Sequence, residues 1–127
     1  MSIINYRDLE VWQKAMDLVA AVYGTTKTFP KEEIYGLVSQ IRRSAVSIPS
    51  NIAEGQAKRS TRDFLRFINI AYGSAAEVET QLMISERIGY LSKPQLQLLL
   101  NDLSTIGRML NGLSSQLEKR LAQHADH

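Results

Sequence analysis

The chain has 127 residues, 44% of them apolar and 22% charged, which suits one core of ordinary size and argues against global disorder. It contains no cysteine, which excludes disulfides, thiolate metal ligands and cysteine nucleophiles and points to a reducing cytoplasm. Its net charge of +2 is too small to imply a polyanionic partner by itself. Apolar runs such as Leu18 to Tyr23 are far shorter than the ~20 residues a bilayer span needs, and the opening residues lack a basic flank followed by an apolar stretch. Neither a membrane segment nor a secretory leader is expected.

Segment one, about 8–27, repeats Leu9, Trp12, Met16, Val19 and Tyr23 at steps of three and four, the period of an amphipathic helix. A second apolar stripe, Val11, Ala15, Leu18 and Val22, runs beside the first. Thr28-Phe29-Pro30 then breaks the chain, because proline lacks the N–H that a continuing helix needs.

Segment two, about 32–56, carries Ile34, Val38, Ile41, Ala45, Ile48 and Ile52. Pro49 lies inside this run, yet Ile48 and Ile52 keep the register on either side of it, so a kinked continuous helix is predicted. Ser60 followed by Asp63 approximates a capping box and opens segment three, about 61–88. That segment carries Phe64, Ile68, Ala71, Ala75, Val78 and Leu82, with Leu65, Tyr72 and Met83 as a second stripe. Gly89 ends it.

Ser92, with Pro94 tolerated in the first turn, opens segment four, about 93–120. Leu96, Leu99, Leu103, Ile106, Leu110, Leu113 and Leu117 give its period, and 121–127 are expected to fray. No stretch alternates as a half-buried strand would. The reading is all-α: one domain over 1–127, an antiparallel up-down-up-down four-helix bundle joined by short connections. The doubled stripes leave two readings open, a broad core edge or a surface for self-association.

The sequence offers little to a catalyst. A di-iron bundle needs Glu-x-x-His on two helices, and the histidines here are His124 and His127, both in the tail. The loop from Glu54 to Ser60 has one glycine and follows a helix, so it fits no phosphate-cradling pattern. No catalytic residue, metal or cofactor is expected, and the chain reads as a non-enzyme.

Charge is unevenly spread. Between Arg42 and Arg66 there are six cations, Arg42, Arg43, Lys58, Arg59, Arg62 and Arg66, against the anions Glu54 and Asp63. Between Gly73 and Tyr90 the balance reverses, with Glu77, Glu79 and Glu86 against Arg87. The basic half is where a phosphate-bearing partner would dock.

Arg43, Ser47, Asn51 and Glu54 share one face of segment two, and Arg62, Arg66, Asn69 and Gly73 form a comparable stripe on segment three. A hinge near Lys58 would bring Glu54 to Arg62, Ser47 to Asn69 and Arg43 to Gly73, with the guanidinium reaching toward Glu77. Such a stripe reads as a solvated surface with ordinary ion pairs, as a polar subunit interface, or as a phosphate-binding groove.

Several of these motifs are familiar together. Asp8-Leu9-Glu10-Val11-Trp12, Phe29-Pro30-Lys31-Glu32-Glu33-Ile34-Tyr35-Gly36-Leu37 and the block from Gln40 to Gly55 resemble the bacterial family of proteins encoded in intervening sequences of 23S ribosomal RNA genes. Ile70-Ala71-Tyr72-Gly73-Ser74-Ala75-Ala76-Glu77-Val78-Glu79 and Gly89-Tyr90-Leu91 extend the resemblance from about Tyr6 to Leu117. Ser44 and Val38 are small departures from it, standing where alanine and threonine are commoner. The resemblance implies a four-helix bundle that assembles as a ring-shaped homopentamer, and a likeness to the basic accessory protein of diversity-generating retroelements. It carries over a signature at Arg42, Arg43, Asn51, Glu54, Gly55, Gly73 and Glu77.

The functional expectation is a non-catalytic oligomer, its partner a second copy of itself, that binds RNA or DNA backbone with little sequence specificity through Arg42, Arg43, Lys58, Arg59, Arg62 and Arg66. The alternative is a protein-interaction scaffold of the same shape, its arginines neutralised by Glu54, Glu77 and Glu79, with no nucleic acid involved.

Overall fold

The computed structural model describes residues 5–125. Four helices make the bundle: α1 (Glu10–Thr26), α2 (Leu37–Ala57), α3 (Thr61–Arg87) and α4 (Lys93–Ala125). Contacts join α1 to α2, α2 to α3, α3 to α4 and α4 back to α1, so the helices stand in a square whose order follows the chain. That is the up-down-up-down arrangement expected of short connections.

The helix ends follow from local chemistry. Before α1, Tyr6–Asp8 form a 3₁₀ turn, because the Asn5 side chain accepts the Arg7 N–H at 2.9 Å. Pro30 starts a second 3₁₀ turn, Lys31–Glu33, and Gly36 interrupts the helical path before α2 begins. Segment two therefore starts at Leu37, later than its period suggested, and Ile34 is left exposed.

At α3 the Ser60 Oγ accepts the Asp63 N–H at 3.3 Å. Gly89, with a φ of 88°, ends that helix, while the Tyr90 N–H reaches back to the Ser85 carbonyl at 2.9 Å. Ser92 and Gln95 cap α4 reciprocally: the Gln95 N–H donates to Ser92 Oγ at 3.3 Å and the Ser92 N–H to Gln95 Oε1 at 3.1 Å. The tail expected to leave the pattern continues as helix through Ala125, because Leu121 extends the apolar period and its neighbours are good helix formers. His124 falls within that helix, and residues 126–127 lie outside the described residues.

α2 runs unbroken through Pro49, so the expected continuity of segment two holds. The proline ring is buried, so packing holds a helix whose ladder lacks one donor.

The core is built from Val11, Ala15, Leu18 and Val22 of α1, Ile41, Ala45, Ile48 and Ile52 of α2, Ile68, Ala71, Val78 and Leu82 of α3, and Leu103, Ile106, Leu110 and Leu117 of α4. In α1 the roles of the two stripes are reversed. Val11, Ala15, Leu18 and Val22 face inward, while Trp12 and Val19 sit at the edge and Met16 and Tyr23 are exposed. The Tyr23 hydroxyl needs water or a partner, and Ala15 permits close helix approach, so the smaller stripe turns to the core.

Candidate nucleic-acid interface

The pairing of α2 with α3 decides where the polar residues fall. Ser47 Oγ and Ser74 Oγ lie 2.8 Å apart, and Ser44 Oγ donates to Glu77 at 3.5 Å. Three residues back on α2 is three forward on α3, the mark of an antiparallel register. Asn51 Nδ2 donates to Ser47 Oγ at 2.8 Å and to the Ser47 carbonyl at 2.7 Å. Ser44, Ser47, Asn51 and Ser74 thus form a polar seam between two helices of the same bundle, buried or half-buried and hydrogen-bonded within itself. Arg43, Glu54, Arg62, Arg66, Asn69 and Gly73 of the expected stripes are exposed.

This register differs from the expected one. The helix of segment two runs to Ala57 and the turn occupies residues 58–60, so the pivot lies at Ser60 and not at Lys58. Ser47 meets Ser74 in place of Asn69, whose Oδ1 instead accepts the Ser114 hydroxyl of α4 at 3.2 Å. Nothing lies within 4 Å of a Cβ built on Gly73, so the Arg43 guanidinium does not cross there. Among the described residues Glu54 does not pair with Arg62.

Gly55 has a steric reason to be glycine. A Cβ built there would lie 2.6 Å from Phe67 Cβ and 3.2 Å from Phe64 Cδ1. The two helices approach too closely here, just before the turn, to admit a side chain.

The six cations separate into two groups. Lys58, Arg59, Arg62 and Arg66 gather at the α2–α3 turn, all exposed. Arg59 holds a left-handed φ of 60°, which swings the chain from one helix to the next. Arg62 and Arg66 follow one turn apart on α3, and the Arg66 guanidinium lies 4.6 Å from the Phe67 ring centre. Arg43 lies about 22 Å along α2 from Lys58 at 1.5 Å per residue, too far to share its phosphate.

Arg42 is half-buried and serves the fold. Its Nε donates to Thr26 Oγ1 at 2.9 Å, and its guanidinium stacks 4.5 Å from the Tyr23 ring centre, tying α2 to α1. Arg43, one residue on, is exposed. Glu77 receives Ser44, and among the described residues no carboxylate pairs with the four cations at the turn.

One cation at this end was missed by the sequence reading. Arg120, from the last turns of α4, lines the same cavity as Arg59. The antiparallel order of the bundle was the signal for it, since the end of α4 must lie beside the start of α3. Among the described residues no cluster of His, Cys, Asp or Glu could hold a metal ion. Nor, among the described residues, is any helix long and apolar enough to cross a membrane.

At the opposite end of the bundle, Tyr90 donates its hydroxyl to Glu33 Oε2 at 2.9 Å, and Glu33 Oε1 accepts the Leu37 N–H at 3.3 Å. The Glu33 hydrogen bond, then partial burial and the negative charges of Glu33 and Glu32, raise the Tyr90 pKa above its ordinary value of 10.0.

Comparison with known proteins agrees with this architecture. No curated protein matches the chain. A solved structure similar to it is a protein of unknown function from the S23 ribosomal protein family of Bacteroides thetaiotaomicron VPI-5482, determined at 1.70 Å. The two are 28% identical with a TM-score of 0.76, over 82% of this chain and 97% of that one. The profile of the 23S rRNA-intervening sequence proteins matches residues 7–112. With that match spanning most of the bundle, the chain belongs to the 23S rRNA-intervening sequence protein family.

Proposed function

We propose that this chain acts by binding and not by catalysis, as a ring-forming cytoplasmic oligomer, a pentamer, that holds RNA or DNA by its phosphate backbone. The observation that carries the reading is the cluster of Lys58, Arg59, Arg62 and Arg66, exposed together at one end of the bundle and without carboxylate partners among the described residues. Cations left unpaired on one face raise the local potential, and repetition around a ring multiplies it. No exposed aromatic ladder accompanies them, so contacts fall on phosphates and sequence preference is weak.

Two different apolar faces support assembly. On one, Tyr23, Ile34, Tyr35 and Val46 surround a hollow of ≈ 450 Å³ rimmed by Arg42 and Arg43. Tyr35 is 95% exposed there. On the other, Ile70, Glu77 and Ile84 recur at steps of seven along α3 and the C-cap Ile88 follows four residues later, with all three isoleucines exposed. One face carries cations and the other an anion. Distinct complementary faces make a head-to-tail contact, which closes into a ring when the rotation allows.

A filter-binding titration with single-stranded RNA tests the backbone reading. The native protein is expected to retain RNA at 50 mM salt, and a K58Q/R62Q/R66Q variant of unchanged mass to lose retention equally across sequences. No retention by the native protein would leave the scaffold reading in its place.

A further inference from the structure

The end of the bundle that carries Arg59 also holds a cavity of ≈ 410 Å³, bounded by the α2–α3 turn, the start of α3 and the last turns of α4. That volume lies in the range of about 300–1,000 Å³ that small-molecule sites occupy. Its floor is apolar: Leu9, Phe64, Leu113 and Leu117. Its rim is polar and of one sign. Arg59 enters from the turn and Arg120 from α4, Gln116 and Thr61 also line the cavity, and among the described residues none of the lining is acidic.

The two arginines come from different elements, and both stand exposed at the mouth. A guanidinium is a planar fork that matches phosphate oxygens two at a time, so a pair facing one cavity suits a dianion better than a single charge. The Phe64 ring in the floor is half-buried, which gives a flat group something to lie against while keeping the cavity open. Gly55 belongs to the same wall, where the close approach of Phe64 and Phe67 fixes the floor.

We infer that this cavity binds a nucleotide phosphate monoester, its phosphate held by Arg59 and Arg120 and its base lying on the Phe64, Leu113 and Leu117 floor. The site goes beyond the backbone contacts proposed above and shares only Arg59 with them. A backbone phosphate has no need of an apolar floor, and an isolated base has no need of two arginines. The monoester arrives either as a free nucleoside monophosphate or as the phosphorylated end of a strand, and both present the same chemistry to the cavity.

Calorimetric titration of the full chain with AMP and UMP tests the assignment, with adenosine and inorganic phosphate as half-ligands. The nucleotides are expected to bind at least tenfold tighter than either half, and R120Q to weaken them at least tenfold. In a proton–nitrogen NMR spectrum, AMP is expected to shift the Thr61 and Phe64 amides and leave those of α1 beyond Val11 unmoved. Adding 5′-phosphorylated and 5′-hydroxyl tetranucleotides separates the two sources: a preference for the phosphorylated end identifies a strand terminus, and equal weak binding of both identifies the free nucleotide. The K58Q/R62Q/R66Q variant keeps mononucleotide binding if the cavity acts alone, even if RNA retention is absent from the native protein. Equal affinity for AMP and inorganic phosphate, no response to R120Q in a folded protein, or no nucleotide binding at millimolar concentration would overturn the proposal.

Discussion

Gly55 of α2 faces Phe67 of α3 so closely that a Cβ on the glycine would lie 2.6 Å from the phenylalanine Cβ. The close approach of α2 to α3 at this point therefore depends on a missing side chain, three residues before the turn that carries the exposed cations. Replacing Gly55 with alanine forces the helices apart. The expected cost is about 1–3 kcal/mol, the range for overpacking a well-filled core. At Gly112 of α4 a Cβ meets nothing within 4 Å, so the same change there is expected to stabilise the helix, by about 0.4–1 kcal/mol. Urea denaturation of the two variants checks the contrast, and a stabilised G55A would contradict the packing described.

Tyr90 and Glu33 give the bundle a dependence on alkaline pH. The hydroxyl is held protonated beyond its ordinary value of 10.0, so the folded chain keeps a proton that the unfolded chain releases. The stabilisation is complete below pH 10 and is lost as pH rises through the higher folded-state value. Denaturation midpoints measured from pH 9 to 11 are expected to fall more steeply for the native chain than for Y90F. Parallel slopes would remove the hydrogen bond from the account.

The adjacent arginines Arg42 and Arg43 are expected to behave oppositely. Arg42 donates to Thr26 and stacks on Tyr23, so R42Q is expected to cost about 1–2.5 kcal/mol, the sum of a hydrogen bond and a cation–π contact. Arg43 is exposed, and R43Q is expected to stay within about 0.5 kcal/mol of the native stability. Thermal denaturation distinguishes them. If Arg43 also meets Glu77 of a neighbouring copy, R43Q lowers the assembled mass while leaving the monomer fold intact.

Light scattering at micromolar concentration checks assembly itself. The reading expects a mass several times 14.3 kDa, five times for a pentamer, reduced by I84E on α3 or V46E on α2. A native mass near 14.3 kDa would contradict it.

The helices and the core faces of α2, α3 and α4 were legible because the three-and-four period, the prolines and the capping residues all speak to local structure. Ser60, Gly89 and Ser92 mark their helix ends where the sequence suggests. The choice between the two stripes of α1 was not legible, since Trp12–Met16–Tyr23 and Val11–Ala15–Leu18 have the same period, and only the packing partner decides which turns inward. The register between α2 and α3 was lost for a related reason. It depends on where the turn pivots, and a shift of a few residues there replaces Asn69 with Ser74 opposite Ser47. Ser74 was readable in hindsight, as a small polar residue in line with the core positions Phe67, Ala71 and Val78. Arg120 escaped because its approach to Arg59 is a property of the bundle and of no local motif.

The most direct test of the central claim is the salt dependence of single-stranded RNA binding by the native protein, followed from 50 mM upward. Phosphate contacts on a single strand release counterions with a slope of about −0.7 per contact in log affinity against log salt. With Lys58, Arg59, Arg62 and Arg66 engaged, the slope is expected near −3 for one subunit's cluster, steeper if several subunits share a strand, and about 2 flatter per subunit in K58Q/R62Q/R66Q. A native protein that binds no RNA at 50 mM salt, or a slope unchanged by the triple substitution, would contradict it.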